Sequence, residues 1–313
     1  MKVTFRDKRF PSTGGLTDCR YRMWVPEEPR LALQLTHGMA EHIDRYDDFA
    51  KFLAENGVLV YGMDLVGHGK SISQNAPQGY FGESNGWDVL VGDMHRLYDL
   101  IHTDYPSLPY VLMGHSMGSF LARTFAGREH ADFDGYIFSG TAGANPALAV
   151  GKLIAKRQIR KSGGKLPSQL LFKLSFGAYN NAFKPNRTEN DWLSRDNVQV
   201  DRYCQDSLCG FQFTSSAMLE VFNGIGEVTG KKWAQRVPKK PIFVLSGSMD
   251  PVGGNGKGVK QVIGWLQSTG HTVESKLYQD GRHEMLNEIN RDEVYRDILL
   301  FLETVAAQGE YVK

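Results

Sequence analysis

The sequence predicts an α/β layered fold: a mostly parallel central sheet flanked by helices, with an inserted, mostly helical segment. Three observations carry this expectation. Short, almost continuously apolar runs alternate with stretches of helical spacing, and parallel strands read that way because both of their faces are covered. The alternation is lost between about residues 141 and 240 and then resumes. The chain has 313 residues, of which 41% are apolar and 23% charged. That is ordinary globular composition and enough chain for one large domain with an insertion.

The elements follow in order. The first 25 residues hold β-like runs around a turn at Ser12-Thr13-Gly14-Gly15. Residues 31–35 (LALQL) form an apolar strand ending at His37-Gly38. Residues 46–56 place Tyr46, Phe49, Ala50, Leu53 and Ala54 on one helical face, with Gly57 as the stop. A strand at 58–63, a helix at 87–105 before Pro106, a strand at 110–113, a helix at 117–128 and a short strand at 136–138 complete the first half. The second half reads strand 241–245, helix 258–268, strand 273–278 and helix 291–305. The expected division is therefore core 1–140, inserted helical segment 141–240 and core 241–313. No internal repeat is present.

Charge and cysteine content exclude several classes. With 36 Lys and Arg against 35 Asp and Glu, the net charge of +1 is not that of a general nucleic-acid binder. Three cysteines cannot build a disulfide framework. Cys204 and Cys209 lack zinc-site spacing and read as free packing thiols. The opening residues lack the apolar core of a signal peptide, and no run of 18 uncharged apolar residues occurs. The expected compartment is the cytoplasm. The sequence implies no metal, no organic cofactor and no particular oligomeric state.

The strongest chemical signal is Gly114-His115-Ser116-Met117-Gly118, placed between a strand and a helix. In that context G-x-S-x-G is the nucleophile elbow of α/β-hydrolases. The turn is sharp enough to strain Ser116, and the glycines remove side chains that would collide with adjacent backbone. The helix start beneath the serine favours developing negative charge. A serine nucleophile needs a base and a group to orient the base. The chain order serine, acid, histidine selects Asp250 and His283, each just past the C-terminal end of a strand. Among competitors, His115 lies inside the elbow and is expected to point away from the site. His95, His102 and His130 fall on helices or helix ends, His271 is at the wrong sheet edge, and Asp280 is too close to His283 in the chain. The backbone N–H groups of Met39 and Met117 are the candidate oxyanion donors.

These motifs together resemble the monoacylglycerol lipase and lysophospholipase family. The carriers are His37-Gly38-Met39-Ala40-Glu41-His42 with Arg45-Tyr46, then Asp64-Leu65-Val66-Gly67-His68-Gly69-Lys70-Ser71, and Gly114-His115-Ser116-Met117-Gly118. The resemblance covers most of residues 30–140 and 240–305. It implies an α/β-hydrolase core with a helical cap that cleaves carboxylic esters of monoacyl lipids, monoacylglycerol or lysophospholipid, through an acyl-enzyme on Ser116 and without a cofactor. It also implies structural rather than catalytic work for Asp64 and His68. Ser119 departs from the family pattern, in which many members carry another Gly. A short-chain carboxylesterase would use the same triad, and a non-catalytic binding protein could keep the same shape.

The inserted segment is aromatic and basic. Leu170, Phe172, Phe176 and Tyr179 are the candidate acyl-binding residues, with 170–176 (LLFKLSF) as the lid that meets lipid. Residues 141–188 carry nine Lys or Arg and no Asp or Glu. This stretch reads as a solvated face, with peripheral contact to an anionic membrane as the alternative. On a helical wheel Leu148, Leu153, Ile154 and Ile159 do not separate from the basic residues.

Overall fold

The computed structural model describes residues 2–128 and 133–310. The chain begins with an antiparallel hairpin, β1 (Val3–Pro11) and β2 (Asp18–Pro26), closed by the anticipated turn. It continues through β3 (Leu31–Thr36), α1 (Asp47–Glu55), β4 (Val58–Met63), α2 (Gly86–Asp104), β5 (Tyr110–His115), α3 (Met117–Arg128) and β6 (Gly135–Ser139). Every residue of β3, β4, β5 and β6 is buried, which is why their sequences lack alternation.

An excursion follows, made of α4 (Leu148–Ser162), α5 (Gln169–Phe176), α6 (Asn197–Gln205), α7 (Ser215–Glu227) and α8 (Lys231–Ala234). Three of these helices start on side-chain caps. Ser168 accepts from the N–H of Leu171, Asp196 from Val198 and Gln199, and Thr214 from Ala217. The chain then returns as β7 (Ile242–Gly247), α9 (Lys257–Gln267), β8 (Val273–Tyr278) and α10 (Arg291–Glu310).

Among the described residues one eight-stranded sheet forms, in the order β1-β2-β4-β3-β5-β6-β7-β8. The β1–β2 and β2–β4 pairs are antiparallel and the others parallel. Parallel strands joined by helices require crossovers, so the order of pairing differs from the order in the chain. One face packs Leu90 and Met94 of α2 with Phe120 and Phe125 of α3. The other packs Phe49 and Leu53 of α1 with Ile298 and Phe301 of α10. Registers Thr36↔Gly114 and His115↔Ser139 bring the ends of β3, β5 and β6 level. Among the described residues no helix is long and apolar enough to cross a membrane.

Candidate active site

β5 runs directly into α3, leaving Ser116 alone at the junction. Its φ is +52°, a left-handed conformation that strains a residue bearing a side chain. The backbone around it leaves little alternative. The N–H of Ser116 donates to the carbonyl of Ser139 over 2.9 Å. A Cβ on Gly118 would lie 2.2 Å from the carbonyl oxygen of Thr36 and 2.5 Å from that of His37. The first turn of α3 thus rests on the end of β3. Ser119, the departure from the family pattern, turns its hydroxyl back to the Ser116 carbonyl at 2.6 Å.

Ser116 Oγ is 2.8 Å from His283 Nε2, and His283 Nδ1 is 3.0 Å from each oxygen of Asp250. Asp250 is fully buried and also accepts from the Ser246 hydroxyl and the Val252 N–H, at 3.0 and 2.9 Å. Burial alone would raise its pKa, but the adjacent imidazole and these donors hold it below the usual carboxylate range. Burial acts in the opposite sense on His283, and the Asp250 charge outweighs it, so the imidazole is pushed up. The arrangement can move the Ser116 proton onto His283 and stabilise the imidazolium that results. Asp280 faces away, accepting from Gln279.

The turn after β3 lies against the serine. A Cβ on Gly38 would come within 3.2 Å of Ser116 Cβ, and Met39 and Ser116 border the same two chambers. The turn is held by a buried charge network. Glu41 accepts from the Gly38 N–H at 2.6 Å and from the Tyr46 hydroxyl at 2.8 Å. Its other oxygen meets Arg45 at 2.5 Å, and Arg45 also forks onto Glu284. Burial would raise Glu41, yet Arg45 and the neighbouring imidazoles hold it at about 2. Ala40, between Met39 and Glu41, has a φ of +54°. Its carbonyl accepts from the Gly210 N–H at 2.9 Å and the Tyr203 hydroxyl at 3.2 Å.

The family described as serine aminopeptidase, S33 matches residues 27–290, nearly the whole span just described. The chain belongs to this family. Relatives of the S33 member include a monoacylglycerol lipase from Mycolicibacterium smegmatis, 27% identical over 94% of this chain and 96% of that one. The human monoglyceride lipase is 29% identical over 87% of this chain and 80% of its own length. A thermostable carboxyl esterase from Bacillus coagulans, solved in complex with glycerol, is 31% identical with a TM-score of 0.92. The match covers 97% of this chain and 100% of that one. The chain has the α/β-hydrolase fold.

Two chambers of this S33 hydrolase meet at Ser116. One, about 570 Å³, is bordered by Met117, Phe120, Leu171, Leu174, Tyr179 and Phe222. The other, about 500 Å³, is bordered by Gln169, Asn180, Asn181, Asn190, Gln212 and Trp192. Phe176 borders both and Phe172 the polar one. Leu170 borders neither: it is half exposed, and the helical turn of α5 gives the apolar chamber Leu171 instead.

Other sequence expectations are corrected or filled in. His115 does not point away. It borders the polar chamber with its ring 4.8 Å from that of His283. Burial, then the proximity of His283, lowers it to about 4, so it stays neutral. Asp64 accepts from the N–H groups of Ile43 and Lys70, and His68 is buried, hydrogen-bonded to the Val66 carbonyl. His271 sits before β8, bonded to Val237 and Leu266. His130 lies outside the described residues. Cys204 is exposed rather than a packing thiol. Cys209 lies beside His42 and Asp206, a grouping of possible metal donors that its spacing from Cys204 conceals.

The excursion also supports the loop that carries His283, a contact that linear sequence does not reveal. The N–H groups of His283 and Glu284 donate to the carbonyls of Trp192 and Leu193, at 3.4 and 2.7 Å. The Trp192 ring lies 5.1 Å from the His283 ring.

Proposed function

We propose that this chain hydrolyses long-chain monoacylglycerols, with Ser116 as nucleophile, His283 as general base and acid, and Asp250 as the group that orients it. It is a serine hydrolase of carboxylic esters of monoacyl type. The observation that carries the finer reading is the position of Ser116 between an apolar and an amide-rich chamber. An acyl chain gains about 0.8 kcal/mol for each CH₂ it buries, which suits the first chamber. The second chamber sets the neutral amides of Asn180, Asn181, Asn190 and Gln169 beside a cation, Lys173, and a carboxylate, Glu189. That balance suits the hydroxyls of a glycerol better than a phosphodiester. The fold is consistent with a core at 1–140 and 241–313 and a substrate-shaping cap at 141–240.

In the proposed reaction Ser116 Oγ attacks the ester carbonyl while His283 Nε2 takes its proton. The N–H groups of Met39 and Met117 receive the oxyanion. Collapse breaks the ester C–O bond, and His283 gives its proton to the departing glycerol oxygen. Water, deprotonated by His283, then attacks the acyl-enzyme, and the proton returns to Ser116 as the fatty acid leaves. The glycerol-bound esterase and the monoacylglycerol lipases support this reading by similarity.

The same reading places the cap against a lipid surface. Val150, Leu153, Leu166, Leu170 and Leu174 are exposed, and Lys156, Arg157, Arg160 and Lys161 are exposed beside them on α4. Apolar tips among cations suit peripheral attachment to an anionic bilayer. The expected result is co-sedimentation with anionic liposomes at low salt, lost in a Leu153→Glu, Leu174→Glu double variant. Wild-type protein that stays in the supernatant overturns it.

A hydrolysis panel tests the substrate, with Ser116→Ala as control. Long-chain monoacylglycerol should exceed lysophosphatidylcholine and a butyrate ester at least tenfold in kcat/KM. Preference for lysophosphatidylcholine overturns the glycerol assignment, and preference for butyrate assigns a short-chain esterase.

A further inference from the structure

Three side chains outside the catalytic constellation converge where the cap meets the turn after β3. His42 follows that turn, while Asp206 and Cys209 come from the cap loop that leaves α6. One donor atom from each lies within 4.8 Å of the others. His42 Nε2 and Asp206 Oδ2 are already 2.8 Å apart. We propose that His42, Asp206 and Cys209 form a binding site for a zinc-class divalent cation, bridging the cap to the oxyanion turn.

The donor set favours that class. A neutral imidazole, a thiolate and a carboxylate are the three ligand types that zinc accepts, in a tetrahedral site whose fourth position goes to water. Hard cations such as magnesium and calcium prefer oxygen-only shells. Tetrahedral bonds of about 2.0–2.3 Å separate ligand atoms by roughly 3.3–3.8 Å. The widest donor pair, at most 4.8 Å apart, would close by roughly 1–1.5 Å, while His42 Nε2 and Asp206 Oδ2, at 2.8 Å, would open by about 0.5 Å.

The loop is built to present its donors together. Asp206 ends α6, its Oδ1 accepts from the Leu208 N–H at 2.8 Å, and its carbonyl accepts from the Cys209 N–H at 3.0 Å. Those bonds fix the turn and leave Oδ2 directed at His42. The surrounding charge also suits a cation. Asp206, Glu41 and Glu284 act on the Cys209 sulfur against one guanidinium, that of Arg45. Solvent reaches the site from one side, since the Asp206 side chain is one-third exposed while that of His42 is 10% exposed.

Binding exchanges an S–H bond for an S–metal bond, and the thiol proton leaves to solvent. The imidazole keeps one proton, on the ring nitrogen that faces away from the metal. Because Gly210, next to Cys209, donates to the Ala40 carbonyl, the ion would fasten the loop to the turn that carries Met39.

Cobalt(II) is the probe. Titrated into purified protein free of metal, it should give one equivalent of tetrahedral visible absorption and a thiolate-to-cobalt charge-transfer band in the near ultraviolet. Zinc added in equal amount should displace both. Cys209→Ser should abolish the charge-transfer band, and His42→Gln should weaken binding at least tenfold. Cys204→Ser should change neither. Fluorophosphonate labelling of each variant verifies that it is folded. Absence of a thiolate band in the wild type, or its persistence in a folded Cys209→Ser protein, overturns the proposal.

Discussion

Arg45 grips Glu284 with both ends of its guanidinium, at 2.7 and 2.6 Å, although 239 residues separate them. The same group holds Glu41, so one cation joins the turn after β3 to the residue that follows His283. All three side chains are at most 10% exposed. Replacing Arg45 by Met leaves two buried carboxylates facing each other. Uncompensated buried charge of this kind typically costs about 3–5 kcal/mol. Thermal unfolding should show a markedly lower Tm. An unchanged Tm would mean that the network adds nothing to stability.

Asp250→Asn should keep the fold and lose turnover. The amide can hold the imidazole only in the wrong tautomer, and in a serine triad that substitution lowers kcat by about 10⁴-fold. Circular dichroism and steady-state kinetics on one preparation separate folding from chemistry. Activity within tenfold of wild type would remove Asp250 from the mechanism.

The pH profile follows from the two imidazoles. The proposed mechanism needs His283 neutral, and Asp250 raises it above its ordinary 6.5 against the effect of burial, so kcat/KM should climb through an inflection above pH 6.5. His115, held at about 4, contributes no second limb near neutrality. Stability runs the other way. A raised folded-state pKa adds stability that is complete below pH 6.5 and lost as pH rises through the folded value. Asp250, lowered from 3.8, adds stability present above that value and lost as pH falls through its folded pKa. Kinetics across pH 5–9 and urea unfolding from pH 2 to pH 9 check both signs.

Gly118→Ala should damage both stability and rate. Its Cβ would meet two backbone oxygens of residues 36 and 37, which cannot rotate aside. Overpacking typically costs about 1–3 kcal/mol. The displaced backbone leads into the turn that carries Met39, so kcat should fall more than KM rises. A variant with normal kcat would show that β3 yields without disturbing the turn that carries Met39.

Strands β3 to β7 were legible because each is buried on both faces. For the proposed triad, chain order and sheet edge leave few candidates, and the fold brings Ser116, His283 and Asp250 within hydrogen-bonding distance. The outer hairpin was harder: β1 is largely exposed and carries no apolar pattern beyond Phe10. In α5 the aromatic and leucine content is visible in the sequence but the helical phase is not, so the sequence points to Leu170 where Leu171 faces inward. The orientation of His115 depends on a left-handed serine next to it, which spacing alone does not resolve. The partnership of Arg45 with Glu284, and of His42 with Asp206 and Cys209, joins segments with no local signal between them. Only the crossovers of the sheet and the return of the cap bring them together.

The carbonyls of Trp192 and Leu193 receive the backbone of His283 and Glu284, Arg282 reaches the carbonyl of Ser194, and Glu288 grips Arg195. This edge of the excursion is therefore tied to the loop that carries His283. The opposite margin, formed by α4 and α5, shows Leu153, Leu170 and Leu174 to the outside. Under the proposed mechanism, the tied edge of the excursion doubles as the mount of the base, so its backbone and the chemistry of His283 stand or fall together.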